Sequence, residues 1–178
     1  MNEVLKFYDY NLCFAHYTKR IMSIRQAKIR GEVIVAKPVL LLAIIDGIDT
    51  DVFMGNFFPL NNWLEERYEM LMKQYMRNSQ FDKPADISNP FWHLQTDGFW
   101  HLQLAEKSQE GITPSRHWLK EKVTSVHFDN DLWVLLQNEV WRQKLRDYIV
   151  EHKLTDDRWL GKIAAEGLGA IVALLLAA

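Results

Sequence analysis

The sequence contains a single cysteine, Cys13, among 178 residues. One cysteine can form neither an internal disulfide nor a cysteine-rich zinc site. The chain does not begin with a basic segment and an apolar run, so we expect no signal peptide and a cytoplasmic protein. The longest apolar run, near the end of the chain, falls short of the roughly 20 residues that a membrane-spanning helix needs. We therefore expect no membrane association.

The sequence also lacks the motifs of the common enzyme classes. It has no G-x-S-x-G, no H-E-x-x-H, no phosphate-binding loop and no dinucleotide-binding fingerprint. A hydrolase needs a nucleophile, a base and an orienting group, and no spacing in this chain assembles them. We therefore expect a binding module rather than an enzyme, with no catalytic residues, no metal ligands and no cofactor.

Hydrophobic residues make up 48% of the chain and charged residues 25%, with a net charge of −2, which is typical of a folded globular protein. The charge is unevenly distributed, because residues 19–37 hold one acid, Glu32, and several basic residues. These basic residues are Lys19, Arg20, Arg25, Lys28, Arg30 and Lys37. Such a strip is either a solvated helix face or a contact for a polyanion, since binding depends on local potential and not on total charge. Under the second interpretation, Lys28 and Arg30 are candidate DNA contacts.

Helical periodicity dominates the pattern and predicts a mainly α fold. We expect a single compact helical domain over residues 1–160, followed by an apolar tail at 161–178 whose role the pattern leaves open. The segment "PVLLLAIIDGI", which begins at Pro38, is apolar on nearly all sides and should be the central helix. The tail is a candidate contact for a homo-oligomer.

Five residues, FWHLQ, occur twice in "FWHLQTDGFWHLQ", around Thr96-Asp97-Gly98. An Asp-Gly pair between two apolar segments is a strong turn signal. The repeat therefore predicts one small antiparallel β-hairpin over about residues 91–104. In the register of a three-residue loop, His93 faces His101, and the tryptophans and leucines share the opposite face, against the core.

Two functions of other classes remain open on the residues alone. The histidine pair His93 and His101, together with neighbouring acids, could serve a metal-dependent nuclease or another hydrolase, although a zinc site would need further ligands. The apolar tail could instead belong to a protein-interaction module of a defence system.

Two segments together resemble one known family. "RGEVIVAKPVLLLAIIDGI" and "NPFWHLQTDGFWHL" are similar to segments that precede the nuclease module in bacterial HNH-type restriction endonucleases. In those enzymes the region resembles the sulfur-binding domain that recognises phosphorothioate-modified DNA, in which sulfur replaces a non-bridging phosphate oxygen. The resemblance covers roughly residues 20–152.

The resemblance implies a site. Pro90 matches the family's proline that lines a small apolar cup for the sulfur, Lys37 matches a basic residue that contacts phosphate, and Arg116 matches a further phosphate or base contact. Asn89 stands where the family commonly has an aromatic residue, and Ala36 where it has a histidine.

The function implied is a DNA-binding module of a restriction system. An apolar notch accepts weakly hydrated sulfur, whereas an ordinary phosphate oxygen would lose its hydration there. The chain shows no His-Asn-His motif, so we expect a separate nuclease subunit as partner.

Overall fold

The computed structural model describes residues 5–76, 79–105 and 114–154. Seven α-helices lie in these ranges: α1 Tyr10–Met22, α2 Ala36–Asp49, α3 Asn62–Tyr75, α4 Ser88–His93, α5 Arg116–Lys122, α6 Asn130–Gln137 and α7 Glu139–Ile149. A 3₁₀ turn, Leu94–Asp97, follows α4, and a π-helical turn, Val150–Leu154, follows α7. The predicted mainly α class is confirmed.

The strands form two small antiparallel sheets. These strands are β1 Lys28–Ile29, β2 Glu32–Val33, β3 Trp100–Leu104 and β4 Val123–Phe128. β1 and β2 make a hairpin whose two loop residues, Arg30 and Gly31, both have positive φ, as a type I′ turn requires. β3 pairs with β4, and Trp100 lies opposite Phe128.

The hairpin that we predicted over residues 91–104 is wrong. The first FWHLQ copy is helical, since Phe91–His93 belong to α4 and Leu94 begins the 3₁₀ turn, and only the second copy contributes to a strand. The turn signal itself is real, because Gly98 has a φ of 80°. That turn joins a helix to a strand, and the strand finds its partner more than twenty residues away in β4.

Helix α2 is the centre of the core, as its sequence predicts. Every residue of α2 is buried except Lys37 and Asp49, and α3, α4, α6 and α7 all contact it. Trp100 is fully buried and packs edge-on against Phe91 and Phe128. The predicted burial of this tryptophan against the core is thus correct, although the pairing that brings it there is different.

One buried acid on α2 connects three helices. The carboxylate of Asp46 accepts a 2.7 Å hydrogen bond from Arg67 Nε of α3 and a 3.1 Å hydrogen bond from Arg146 Nε of α7. A buried carboxylate with two guanidinium partners avoids the large cost of an unpaired charge.

Two further expectations concern membrane-spanning helices and the apolar tail. None of the described helices combines the length and the apolar character that crossing a bilayer requires. The apolar tail at 161–178 lies outside the described residues.

Candidate nucleic-acid interface

The short helix α4 carries two of the predicted site residues. Asn89 is exposed and Pro90 is buried. The backbone N–H of Ser88, the first residue of this helix, donates a 2.8 Å hydrogen bond to Oδ1 of Asp86, two residues earlier. Pro90 therefore lies inside a helical turn, and Asn89 is the member of the pair that faces solvent.

Lys37 contacts the turn that follows α4. It belongs to the first turn of α2, and its Nζ is 2.6 Å from Oδ2 of Asp97, the residue that ends the 3₁₀ turn after α4. The two side chains are only 13% and 8% exposed. In this conformation the ammonium is neutralised by an internal carboxylate, so a DNA phosphate would have to compete with Asp97 for it.

Arg116 is held in a comparable way. It is the first residue of α5, and its Nη2 is 2.8 Å from Oδ2 of Asp86. Burial acts to raise the pKa of Asp86, but the hydrogen bonds from Ser88 and Arg116 outweigh it, and the pKa lies below its ordinary value. The ion pair is therefore intact at neutral pH, and the two acids Asp86 and Asp97 hold Arg116 and Lys37 at opposite ends of α4.

Lys28 and Arg30 lie on the β1–β2 hairpin, and both are exposed. The hairpin is anchored to the loop before α4, since Gln80 Nε2 donates a 3.0 Å hydrogen bond to the carbonyl of Arg30 and Gln80 N–H donates to Glu32. The structure thus connects Lys37, Arg116 and the hairpin that carries Lys28 and Arg30 to the segments that flank α4.

The sequence did not predict that two further cations, Arg20 and Lys153, lie near the turn that follows this helix. Arg20 Nη1 donates a 3.3 Å hydrogen bond to the carbonyl of Gly98, and Lys153 lies close enough to Asp97 for the carboxylate to act on its pKa. Arg20 was visible as part of the basic strip. Lys153 follows an ordinary amphipathic helix, and no local signal connects it to the turn at residue 97.

The histidine site that we considered for a metal is not formed as predicted. His93 is on α4, whereas His101 lies opposite His127 across the β3–β4 pair, with ring centroids 5.1 Å apart. His101 Nε2 is 2.6 Å from Oδ1 of Asp129, whose other oxygen accepts a hydrogen bond from Tyr17. Within the described ranges, no group of three or more His, Cys, Asp or Glu side chains is placed to hold a metal ion.

The one thiol also lacks the environment of a nucleophile. Cys13 is buried, and burial, aided by Asp131, raises its pKa to about 12. The thiol is therefore protonated at neutral pH and unreactive.

Residues 15–160 match the family described as ScoMcrA-like, DNA sulfur-binding domain. The chain belongs to this family. The match includes every site residue that we predicted, and it confirms the resemblance on which those residues rest. No curated protein sequence matches the chain.

Solved structures of the ScoMcrA sulfur-binding domain have the same fold. One shows that domain complexed with phosphorothioated DNA; it is 20% identical, covers 77% of this chain and 86% of its own, and superimposes with a TM-score of 0.60. Another contains the sulfur-binding and SRA domains of ScoMcrA with phosphorothioated DNA. It is 23% identical, with a TM-score of 0.54, and the match covers 69% of this chain and 37% of that one.

Proposed function

We propose that this chain binds DNA and prefers duplexes that carry a phosphorothioate in the backbone. The observation that carries the proposal is the family match over residues 15–160. The solved ScoMcrA complexes support it, because their fold is the same and their ligand is phosphorothioated DNA. Since DNA is the ligand, the cytoplasm is the compartment that we propose.

The proposed interface is centred on α4. Asn89, which faces solvent, would contact the modified phosphate directly. Pro90 is buried in the free protein, so it would line the sulfur cup only after neighbouring side chains move on binding. The exposed Lys28 and Arg30 would neutralise neighbouring phosphates. Phosphate neutralisation by basic side chains gives affinity that does not depend on sequence. Lys37 and Arg116 would exchange their internal carboxylates for phosphate oxygens on binding, because both are ion-paired in the free protein.

The preference for sulfur would come from hydration. Sulfur in a phosphorothioate is larger and less strongly hydrated than oxygen, so an apolar notch costs it less. A polar group moved out of water without a replacement partner loses about 1–3 kcal/mol, which corresponds to roughly a 5- to 150-fold ratio of dissociation constants.

The test compares two duplexes of one sequence, with and without a phosphorothioate, in a fluorescence anisotropy titration. We expect about tenfold tighter binding to the modified duplex, from the same desolvation argument. Equal binding to both would remove the sulfur proposal, and no binding to either at low salt would remove DNA binding altogether.

A single variant makes the test sharper. Asn89 is exposed, so Asn89→Tyr introduces the family's aromatic residue with little risk to the fold. We expect the variant to raise the affinity ratio between modified and unmodified DNA, because the ring adds apolar surface beside Pro90. Lys144→Gln on α7, where Lys144 lies over the ring of Trp141, is a control that should leave the ratio unchanged.

The cleavage step of a restriction system would come from another module. The sequence shows no His-Asn-His motif, and we propose a separate nuclease subunit as the partner. Co-purification with candidate nucleases, followed by a cleavage assay on the modified duplex, tests this part independently of DNA binding.

A further inference from the structure

Three cations from distant parts of the chain surround the turn that follows α4. Arg20 at the end of α1 donates to the carbonyl of Gly98, and Lys37 of α2 is paired with Asp97. Lys153, in the π-helical turn after α7, interacts electrostatically with the same Asp97. Lys37 is thus in direct contact with Asp97, whereas Arg20 bonds the carbonyl of the next residue and Lys153 bonds the carbonyl of Met22, two residues after Arg20.

The contacts of Arg20 and Lys153 leave both of them suited to an additional anion. Lys37 has the carboxylate of Asp97 at 2.6 Å. Arg20 Nη1, in contrast, bonds a neutral carbonyl at 3.3 Å, and Lys153 Nζ bonds the carbonyl of Met22 at 2.7 Å. Hydrogen bonds to a phosphate oxygen are charge-assisted, and they are stronger than bonds to a neutral carbonyl.

Lys153 also carries a cost that a bound anion would relieve. Burial lowers its pKa, while Asp97 acts in the opposite direction. A partly buried ammonium is less stable in its charged form unless an anion is close. Its hydrogen bond to the carbonyl of Met22, the last residue of α1, also stabilises the fold, because the carbonyls at a helix C-terminus favour a cation.

The position of the cluster relates it to the proposed interface. The Asp97–Gly98 turn comes directly after the helix that carries Asn89 and Pro90. The end of α1, where Arg20 lies, leads into the hairpin that carries Lys28 and Arg30. The hairpin contacts the loop before α4 through Gln80, and the cations contact the turn after α4, so the two basic regions adjoin opposite ends of this helix.

We propose that Arg20 and Lys153, together with the Asp97–Gly98 turn, form a second subsite for a DNA backbone phosphate, separate from the site of the modified phosphate. This inference rests on the proposed function. The subsite contacts an unmodified phosphate, so it adds affinity for any duplex and none of the preference for sulfur.

The test measures binding of the same two duplexes by Lys153→Gln and Arg20→Gln over a range of salt concentrations. Each variant should weaken binding to both duplexes by about three- to tenfold, and the slope of log K against log salt should fall by roughly 0.9 for each lost phosphate contact. The ratio of affinities for modified and unmodified DNA should stay at the wild-type value.

The control is Lys144→Gln, which also removes one exposed lysine charge. Lys144 lies over Trp141, which packs against Tyr10 and Phe14 in the first half of α1, whereas Arg20 lies near the end of that helix. The control should keep the wild-type slope. If Lys153→Gln and Arg20→Gln keep it too, the second subsite is excluded.

Three outcomes distinguish the subsite from the proposed function and from a purely structural role of Lys153. If the wild-type protein prefers modified DNA and only the slopes fail to change, the subsite is wrong and the proposed function stands. If the wild-type protein binds neither duplex, the proposed function itself fails. Lost stability alone would lower the melting temperature of Lys153→Gln and leave the salt slope of the folded protein unchanged, which would also exclude the subsite.

Discussion

The two copies of FWHLQ have identical letters and different structures. Phe91–Gln95 runs through α4 into a 3₁₀ turn, whereas Phe99–Gln103 leads into and forms most of β3. The first copy follows Asp86, which accepts a hydrogen bond from the backbone N–H of Ser88 at the start of α4. The second copy pairs with β4. The surroundings of the two copies, more than the five residues themselves, therefore select the conformation.

The burial patterns of the two copies differ accordingly. In the helical copy the buried side chains are Phe91 and Leu94, which are three residues apart on one helix face. In the extended copy they are Phe99 and Trp100, and Leu102 is only partly buried. The copies also contact each other, because Trp100 Nε1 donates a 2.9 Å hydrogen bond to the carbonyl of Phe91.

The largest difference should appear at the tryptophans. Trp100 is fully buried, and we expect Trp100→Ala to lower the free energy of unfolding by about 3–5 kcal/mol, through the cavity and the unpaired carbonyl of Phe91. Trp92 is half-buried against Trp118. Trp92→Ala should cost about 1–2 kcal/mol, because folding removes less apolar area from water at Trp92 than at Trp100. Urea unfolding followed by circular dichroism measures both; equal losses would contradict the structural difference.

The order should reverse at the leucines. Leu94 is fully buried, so Leu94→Ala should cost about 2–4 kcal/mol, as buried leucines do. Leu102 is partly exposed, and Leu102→Ala should cost roughly 1 kcal/mol. Urea unfolding followed by circular dichroism measures both losses. A larger loss at Leu102 than at Leu94 would mean that both copies bury their residues in the same pattern.

The last of these effects concerns Gly98, which directly precedes the second copy. Gly98 has a φ of 80°, which L side chains adopt at a cost of about 1–2 kcal/mol, and Gly98→Ala should destabilise the protein by that amount. A new Cβ would also lie 2.5 Å from Nη1 of Arg20 and displace that guanidinium. A melting temperature equal to that of the wild-type protein would show that the turn tolerates another conformation.

Much of the fold could be predicted because it depends on local pattern. The apolar run of α2 predicts its central position. Ser115 and Asn138, whose side chains each accept from the backbone N–H three residues later, begin helices where polar caps are favoured. Strand β4 could not be predicted in this way. It follows α5 without an intervening turn, and its partner β3 lies far away in sequence, so no local signal marks the pairing.

In the candidate site, too, local features could be predicted and contacts between distant segments could not. Lys37, Pro90 and Arg116 could be chosen from motifs, because motifs are local. The pairing of Lys37 with Asp97 and the approach of Lys153 to that turn depend on how α2 and the end of α7 pack, and one-dimensional patterns do not contain that information. The prediction that His93 faces His101 was wrong for the same reason.

The buried acid of α2 has a consequence for the whole interface. Apolar contacts are non-directional, whereas the hydrogen bonds that Asp46 accepts from Arg67 and Arg146 have a direction. These bonds therefore constrain the rotation of α2 about its own axis in addition to its packed apolar side chains. The same constraint acts on the direction in which Lys37, more than two helical turns away, presents its charge.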